Sequence, residues 1–478
     1  VYIGQTGVTN TTSVTQTGTA NQVGADETSL LLNQIGNFNT VDITQTGWSN
    51  AVATVLRVTI AAGHFVPANG LSQIGAYNLL KLNQLNSVAT GSNAIEAIYQ
   101  EADPAFGARS NSIDVTQTGD GGTGGADHFI GQLVQINSTA GLAANAIAVT
   151  QSGGGSGIGN SIQAINQVGD GNSADVDQSA YLNAIGSLAQ TGSGNGAVLS
   201  QGTNSGNVIL DVMQQGDLNQ ANISEAGTNT YVETVTQNNA GVAISGNTVK
   251  ITLAGDDNGG DGLGGPGSFV SLAKDAGVFQ ATALQFGDDN SLSYTVSAAS
   301  NRNLYGFMQD GDGNGIIGNA DGNDNEAAVR QVGDDNNVSF SQKGNANAVA
   351  VTMSGERNRA LIDQTGEENV VSLSFGDSLP SSDNNANGLA FTGPVALMAN
   401  AYGLTPGHFH QSGTLNSVTL TVTGSGGNMT ATWQEGAGNV IQGSVSGSAN
   451  QAAVIQGGDD NLAAFSQTGT GNRLVISQ

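Results

Sequence analysis

The phrase Gln-x-Gly-x-x-Asn-x-Φ-x-Φ-x, eleven residues long with Φ apolar, recurs along the chain; Gln331-Val-Gly333-Asp-Asp-Asn336 and Gln342-Lys-Gly344-Asn-Ala-Asn347 are successive copies. From Gln309 its first position steps through Ala320, Gln331, Gln342, Met353, Gln364 and Phe375 without a slip, so apolar residues replace Gln at one fixed structural place. Gln5 and Gln16 repeat the step early in the sequence, and Gln456, Gln467 and Gln478 repeat it late. Self-similarity at a short fixed period marks a solenoid, in which each unit packs on its neighbours. That period overrides the prior of about three domains for a chain of 478 residues. It predicts one elongated body over residues 1–478.

Inside a unit the apolar places are two apart, as in Asn347, Val349, Val351, Met353 or Asn369, Val371, Leu373, Phe375. Alternation of this kind puts them on one face of a strand, with Ala348, Ala350 and Thr352 on the other. The segment between Gln and Asn, for example Gly366-Glu-Glu-Asn369, supplies a residue suited to positive φ and polar residues for a tight turn. Each unit is therefore a turn followed by a strand.

Two units make one rung, because a strand must return before it can stack on the previous one. The expected fold is an all-β solenoid with rungs of about 22 residues, in which residues one rung apart lie roughly 4.8 Å apart. Under that rule Gly311, Gly333 and Gly355 form one ladder, Asn314, Asn336 and Asn358 a second, and Gln342 with Gln364 a third. The expected structural ladder comprises Gln331, Gly333, Asn336, Gln342, Gly344, Asn347, Gln364, Gly366 and Asn369. Identical amides stacked at strand spacing bond along the stack, which satisfies polar groups otherwise costly inside.

Gly- and Pro-containing segments near 56–72, 101–113, 119–131, 153–161, 254–278 and 376–410 break the phase, and regular units resume after each. They are expected to be loops extruded from rung corners, since an insertion at a turn leaves a ladder intact. A linker between separate domains is the alternative, chiefly for 376–410.

Composition bounds the function. The chain has 71 Gly, 6 Pro and 5% aromatic residues, yet 38% hydrophobic residues, enough for a narrow continuous core. With 11 Lys+Arg against 38 Asp+Glu, a formal net charge of -27 disfavours nucleic acid and anionic membrane as partners. No cysteine is present, so disulfide staples and thiol chemistry are excluded. No apolar run approaches the roughly 20 residues that span a bilayer. Val1-Tyr-Ile-Gly-Gln5 opens inside the repeat phase without the charged and apolar regions of an export leader.

The spacing resembles the curlin repeat of curli-type amyloid subunits. Gln34-Ile-Gly36-Asn-Phe-Asn39-Thr-Val-Asp-Ile-Thr-Gln45-Thr-Gly47-Trp-Ser-Asn50 matches it across both halves of a rung, and Gln331 to Gln364 and Gln456 to Gln478 match comparably. The chain departs from that family in its greater length and its insertions. The resemblance implies a secreted, extracellular, cell-surface or fimbrial bacterial protein that polymerises with itself into fibres for adhesion or biofilm matrix. Secretion or nucleation factors and matrix polysaccharide are further partners of that class.

Other chemistry is thinly supported. Asp310-Gly-Asp312-Gly-Asn314-Gly315 with Asp321 follows a calcium-loop pattern, but the repeat places Asp310 and Asp321 at the same phase of successive units, on opposite edges. Acidic turns recur at Gly255-Asp-Asp-Asn258, Gly287-Asp-Asp-Asn290, Gly333-Asp-Asp-Asn336 and Gly458-Asp-Asp-Asn461. Solvated turns that limit lateral association explain them, while Asp312, Asp334 and Glu356, one rung apart, are weak candidates for a calcium ladder. No other cofactor is expected. The four histidines, His64, His128, His408 and His410, fall in insertions. His408 and His410 share one side of a strand, but no neighbouring carboxylate cluster is evident for a metal. No Ser elbow accompanies a His and an acid, and the glycine-rich 259–265 lacks a P-loop lysine, so no enzyme is expected.

Outward Thr recurs at Thr6, Thr17, Thr46, Thr118, Thr191, Thr365 and Thr468, with a local stripe at Thr419, Thr421 and Thr423. Thr suits an exposed strand, and regular rows of it also suit ice or polysaccharide. A monomeric cell-surface adhesin or ligand-binding solenoid is therefore the second reading. The first is a fibre subunit stacking head to tail through Val1, Ile3 and Gln5 at one end and Leu474, Ile476 and Gln478 at the other, where no cap is visible.

Overall fold

The computed structural model describes residues 3–19, 21–23, 32–48, 50–52, 70–86, 93–95, 97–102, 111–119, 128–137, 144–153, 159–202, 204–239, 245–260, 277–376 and 383–478. It is a parallel β-solenoid in two compact units, one formed by Val1–Asn229 with Glu233–Gly246 and the other by Thr230–Val232 with Asn247–Gln478. The insertions near 56–72, 101–113, 119–131, 153–161, 254–278 and 376–410 lie partly outside the described residues.

The second unit follows the two-strand rung. Strands such as Glu326–Val332, Ala348–Ser354 and Val370–Phe375 stack in one parallel sheet, and Asn337–Lys343, Arg359–Glu367 and His408–Thr414 stack in the other. Alternation drives this, since Val338, Phe340, Val349, Val351, Ile362, Val371 and Leu373 are all buried between the two sheets. In this core Tyr294 packs on Tyr305 and Phe307 with ring centroids 5.2 Å apart in each pair. Phe340 has room beside them because its partner in register is Gly318, where a Cβ would run into the phenyl ring.

In the first unit the rung is longer. Strands Ile3–Thr6, Leu32–Ile35 and Gly70–Gly75 stack in one sheet, and Thr11–Thr19, Thr40–Trp48 and Leu79–Asn86 in a second. A third sheet of short strands follows, including Gln22–Val23, Ala51–Val52, Asn93–Ile95, His128–Gly131 and Ser161–Gln163. Its inward side carries an apolar column, Val23, Val52, Ile95, Ile130, Ile162, Ile185 and Ile209, and every member is buried. The 22-residue spacing thus gives way here to separations from 23 to 43 residues between stacked partners. One buried branched residue per short strand is enough to close a third wall, but it is too brief to show as a period.

Strand pairing also extends into the margins of the insertions. His128–Gly131 is a strand, not a loop, because Ile130 stacks between Ile95 and Ile162. His408 and His410 likewise belong to the strand His408–Thr414; His64 lies outside the described residues. Across the longest insertion Val370–Phe375 pairs directly with Ser417–Gly426, so the segment leaves the ladder intact and links no separate domain. It contains a helix, Gly393–Ala401, begun by Pro394 with its fixed φ. The helix lays Val395 and Ala399 on Ala431, Ala453 and Ile455, covering the outer face of the second sheet.

Candidate functional site

Amide columns run through both units. In the second unit Gln309 Nε2 donates to Gln331 Oε1 at 3.0 Å, and Gln342 to Gln364 at 3.3 Å, each pair 22 residues apart. After Gln331 the column continues through Met353 and Phe375, which hold the same inward place. Gln342 and Gln364 also donate to the carbonyls of Asn347 and Asn369 at 2.9 Å, tying strand to following turn. Asn336 donates its backbone N–H to Asn314 Oδ1, and Asn358 to Asn336 Oδ1; Asn347 and Asn369 repeat this on Asn325 and Asn347. In the first unit Gln34 donates to Gln73 and Gln73 to Gln100 at 2.9 and 2.8 Å, so the column survives rungs of different length. All these amides are buried, and the bonds satisfy them except at Gln342 Oε1, which has no partner because Ala320 holds the preceding place in its column.

Glycine is needed where the rungs touch. Gly333, Gly344 and Gly366 have φ of 101°, 110° and 117°, and a Cβ at Gly344 would overlap the Gly366 carbonyl of the next rung. The residue before each motif Asn is also left-handed, with φ of 56° at Asp335 and 55° at Glu368.

The acidic turns have a structural role that sequence alone did not show. Asp288 donates its N–H to Asp312 Oδ1 and Asp312 its N–H to Asp334 Oδ1, both at 2.8 Å. These side chains therefore complete the backbone of the preceding rung. Glu356 lies 3.9 Å from Arg357. Asp310 ends a strand of one sheet and Asp321 a strand of the other, as their shared repeat phase requires.

A different cluster brings three metal-ligating side chains together. Asp363 lies in Arg359–Glu367, beside His410 in register, and His410 lies beside Trp433 of Met429–Ala437. His408 Nε2 is 3.0 Å from Asp363 Oδ2. One ligand atom from each of Asp363, His408 and His410 lies within 4.8 Å of the other two, the sole such group of three among the described residues. The His410 ring stacks on Trp433 with centroids 4.0 Å apart and planes 22° apart, and Tyr402 flanks Trp433 at 5.7 Å. The hydrogen bond to His408 holds the Asp363 carboxyl below its usual range. Burial, then the neighbouring His408, lowers the His410 imidazole. Near neutral pH the pair thus offers an anionic oxygen and a neutral ring nitrogen. A sequence signal for Asp363 existed: Asp363 and His410 each directly precede a column glutamine, Gln364 and Gln411, and so share one repeat phase.

The outermost strands pair on one side only among the described residues. Ile3 faces Leu32 and Gln5 donates to Gln34 Oε1 at 2.6 Å. Leu474 and Ile476 face Ala452 and Val454, and Gln478 Oε1 accepts from Gln456 Nε2 at 2.8 Å. Val1 lies outside the described residues. No helix among the described residues is long and apolar enough to cross a membrane.

Comparison with known proteins agrees with this geometry where it finds a match. No curated protein matches the chain. The curlin associated repeat family matches residues 322–352, 333–366 and 447–478, stretches that hold the columns of Gln342, Asn347 and Gln456. The Gln and Asn of those stretches recur at the same buried places in the other rungs, and the chain carries curlin associated repeats over these stretches.

Proposed function

We propose that this protein is a non-enzymatic structural subunit of an extracellular curli-type fibre, built by head-to-tail stacking of copies for adhesion or matrix. The observation that carries the reading is the one-way amide column. In the Gln–Gln bonds of the columns the donor is the N-terminal residue of the pair, as Gln434 is to Gln456 and Gln456 to Gln478. The Gln478 Nε2 then meets the Oε1 of a glutamine on the next copy. Placing Gln467 over Gln5 also puts Asn472 over Asn10 and Gln478 over Gln16, with Phe465 over Ile3 and Ile476 over Val14. One register therefore satisfies amides and inward apolar places together. A contact between unlike ends does not close on itself and yields filaments.

Negative-stain imaging and fibre diffraction of the purified protein test this. Unbranched fibres with a meridional spacing of roughly 4.8 Å are expected. The double variant Ile3→Pro, Ser477→Pro removes a backbone donor from the open edge at each end and is expected to stay short while keeping the parent's circular dichroism and melting. A parent that remains monomeric at all concentrations favours the cell-surface adhesin reading; fibres of normal length from the double variant rule out terminal stacking.

A further inference from the structure

We propose that Asp363, His408 and His410 bind one divalent transition-metal ion of the zinc or copper(II) class. The ligand set is one carboxylate oxygen and two imidazole nitrogens, the borderline donors such ions take. Three features separate it from the scattered surface acids of this chain. All three side chains stand on adjacent strands fixed by continuous pairing, from Leu361–His408 to Glu367–Thr414. Their ligand atoms already converge within 4.8 Å, so side-chain rotation alone brings them to one ion at about 2.0–2.2 Å. The His410 ring is fixed in orientation by its stack on Trp433.

The site also has an open side. Side-chain exposure is 40% at Asp363 and 15% at His408, which leaves a face for water or a further donor to complete four-coordination. Its position gives the ion a structural consequence. Asp363 precedes the insertion near 376–410 and the two histidines follow its helix, so a bound ion staples both ends of that segment. An ion held by the folded state alone raises thermal stability by an amount that grows with the logarithm of free ion over its Kd. A His408–Asp363 hydrogen bond without metal affinity predicts none of this.

The test is calorimetric titration of the chelator-stripped full chain with ZnCl2. One saturable ion per chain and a raised melting temperature are expected. His408→Gln and His410→Gln are each expected to weaken binding by more than the roughly 10–100-fold seen on losing an outer-shell partner of a metal ligand, whereas Asp312→Asn with Asp334→Asn leaves it unchanged. A second readout depends on no variant: CuCl2 added to the parent chain is expected to give an electron paramagnetic resonance spectrum with nitrogen coordination and to quench Trp433. Absence of saturable zinc binding, binding unchanged in both histidine variants, or a copper spectrum with oxygen ligands alone overturns the proposal.

Discussion

Gln364 Nε2 donates to Gln411 Oε1 at 2.9 Å although 47 residues separate them, the same contact that its rung neighbours make across 22 or 23. The column is therefore set by phase within the repeat and is indifferent to the length of chain between rungs. Loop closure costs grow only slowly with length, about 0.6 kcal/mol per doubling, so an insertion carrying a helix is accommodated at a rung corner.

Val351 is fully buried between the two sheets of the second unit. Val351→Asp places an uncompensated carboxylate there and is expected to destabilise by about 3–5 kcal/mol. Chemical denaturation with circular dichroism measures it. Parent-like stability places Val351 outside the core.

Gly344→Ala meets two penalties at once. Its φ of 110° is left-handed, and the added methyl overlaps the Gly366 carbonyl of the next rung. Backbone strain of about 1–3 kcal/mol adds to overpacking of about 1–3 kcal/mol, and because the neighbouring atom is backbone it cannot rotate away. Gly471→Ala has a left-handed φ of 69° but no neighbour within 4 Å. It is expected to lose only the conformational part, so the difference between the two melting temperatures isolates the rung contact.

Glu225 holds a glutamine place in the first unit, fully buried, with Gln201 Nε2 donating to its Oε2 at 3.4 Å and its Oε1 unpartnered. Burial raises its carboxyl well above the usual range. The folded chain therefore keeps a proton that the unfolded chain releases near pH 4.3, roughly the model-peptide value, and stability falls as pH rises from there. Glu225→Gln restores the amide and removes the titration. Its melting temperature is expected to exceed the parent's by more at pH 8 than at pH 5, and an equal gain at both would contradict the assignment.

Asp334 carries charge and accepts the Asp312 backbone N–H. Asp334→Asn keeps an acceptor and removes the repulsion between stacked acidic turns, so it is expected to match or exceed parent stability at low salt and lose that advantage at high salt. Asp334→Ala leaves the N–H without its side-chain acceptor and is expected to be less stable at both. Melting temperature against NaCl concentration separates these effects, and fibre yield against ionic strength and CaCl2 shows whether screening alone promotes assembly.

The eleven-residue period determined most of the core of the second unit. Spacings of two and eleven assign every side chain a face, so Val351 inward, Asn336 over Asn314 and Gln364 over Gln342 all follow from local pattern, and the structure has them so. What the period could not give was anything decided by which distant strands come to lie side by side. The third wall of the first unit rests on single residues such as Ile95 and Ile130, joined through rungs of unequal length. The meeting of Asp363 with His410 required the segment between them to leave and re-enter the stack in phase. Likewise, the Asp312 and Asp334 carboxylates look like solvated turn charges until the neighbouring rung presents its N–H. Face is fixed by alternation along a strand, a local property; partnership is fixed by parallel stacking, which depends on where the whole intervening chain returns.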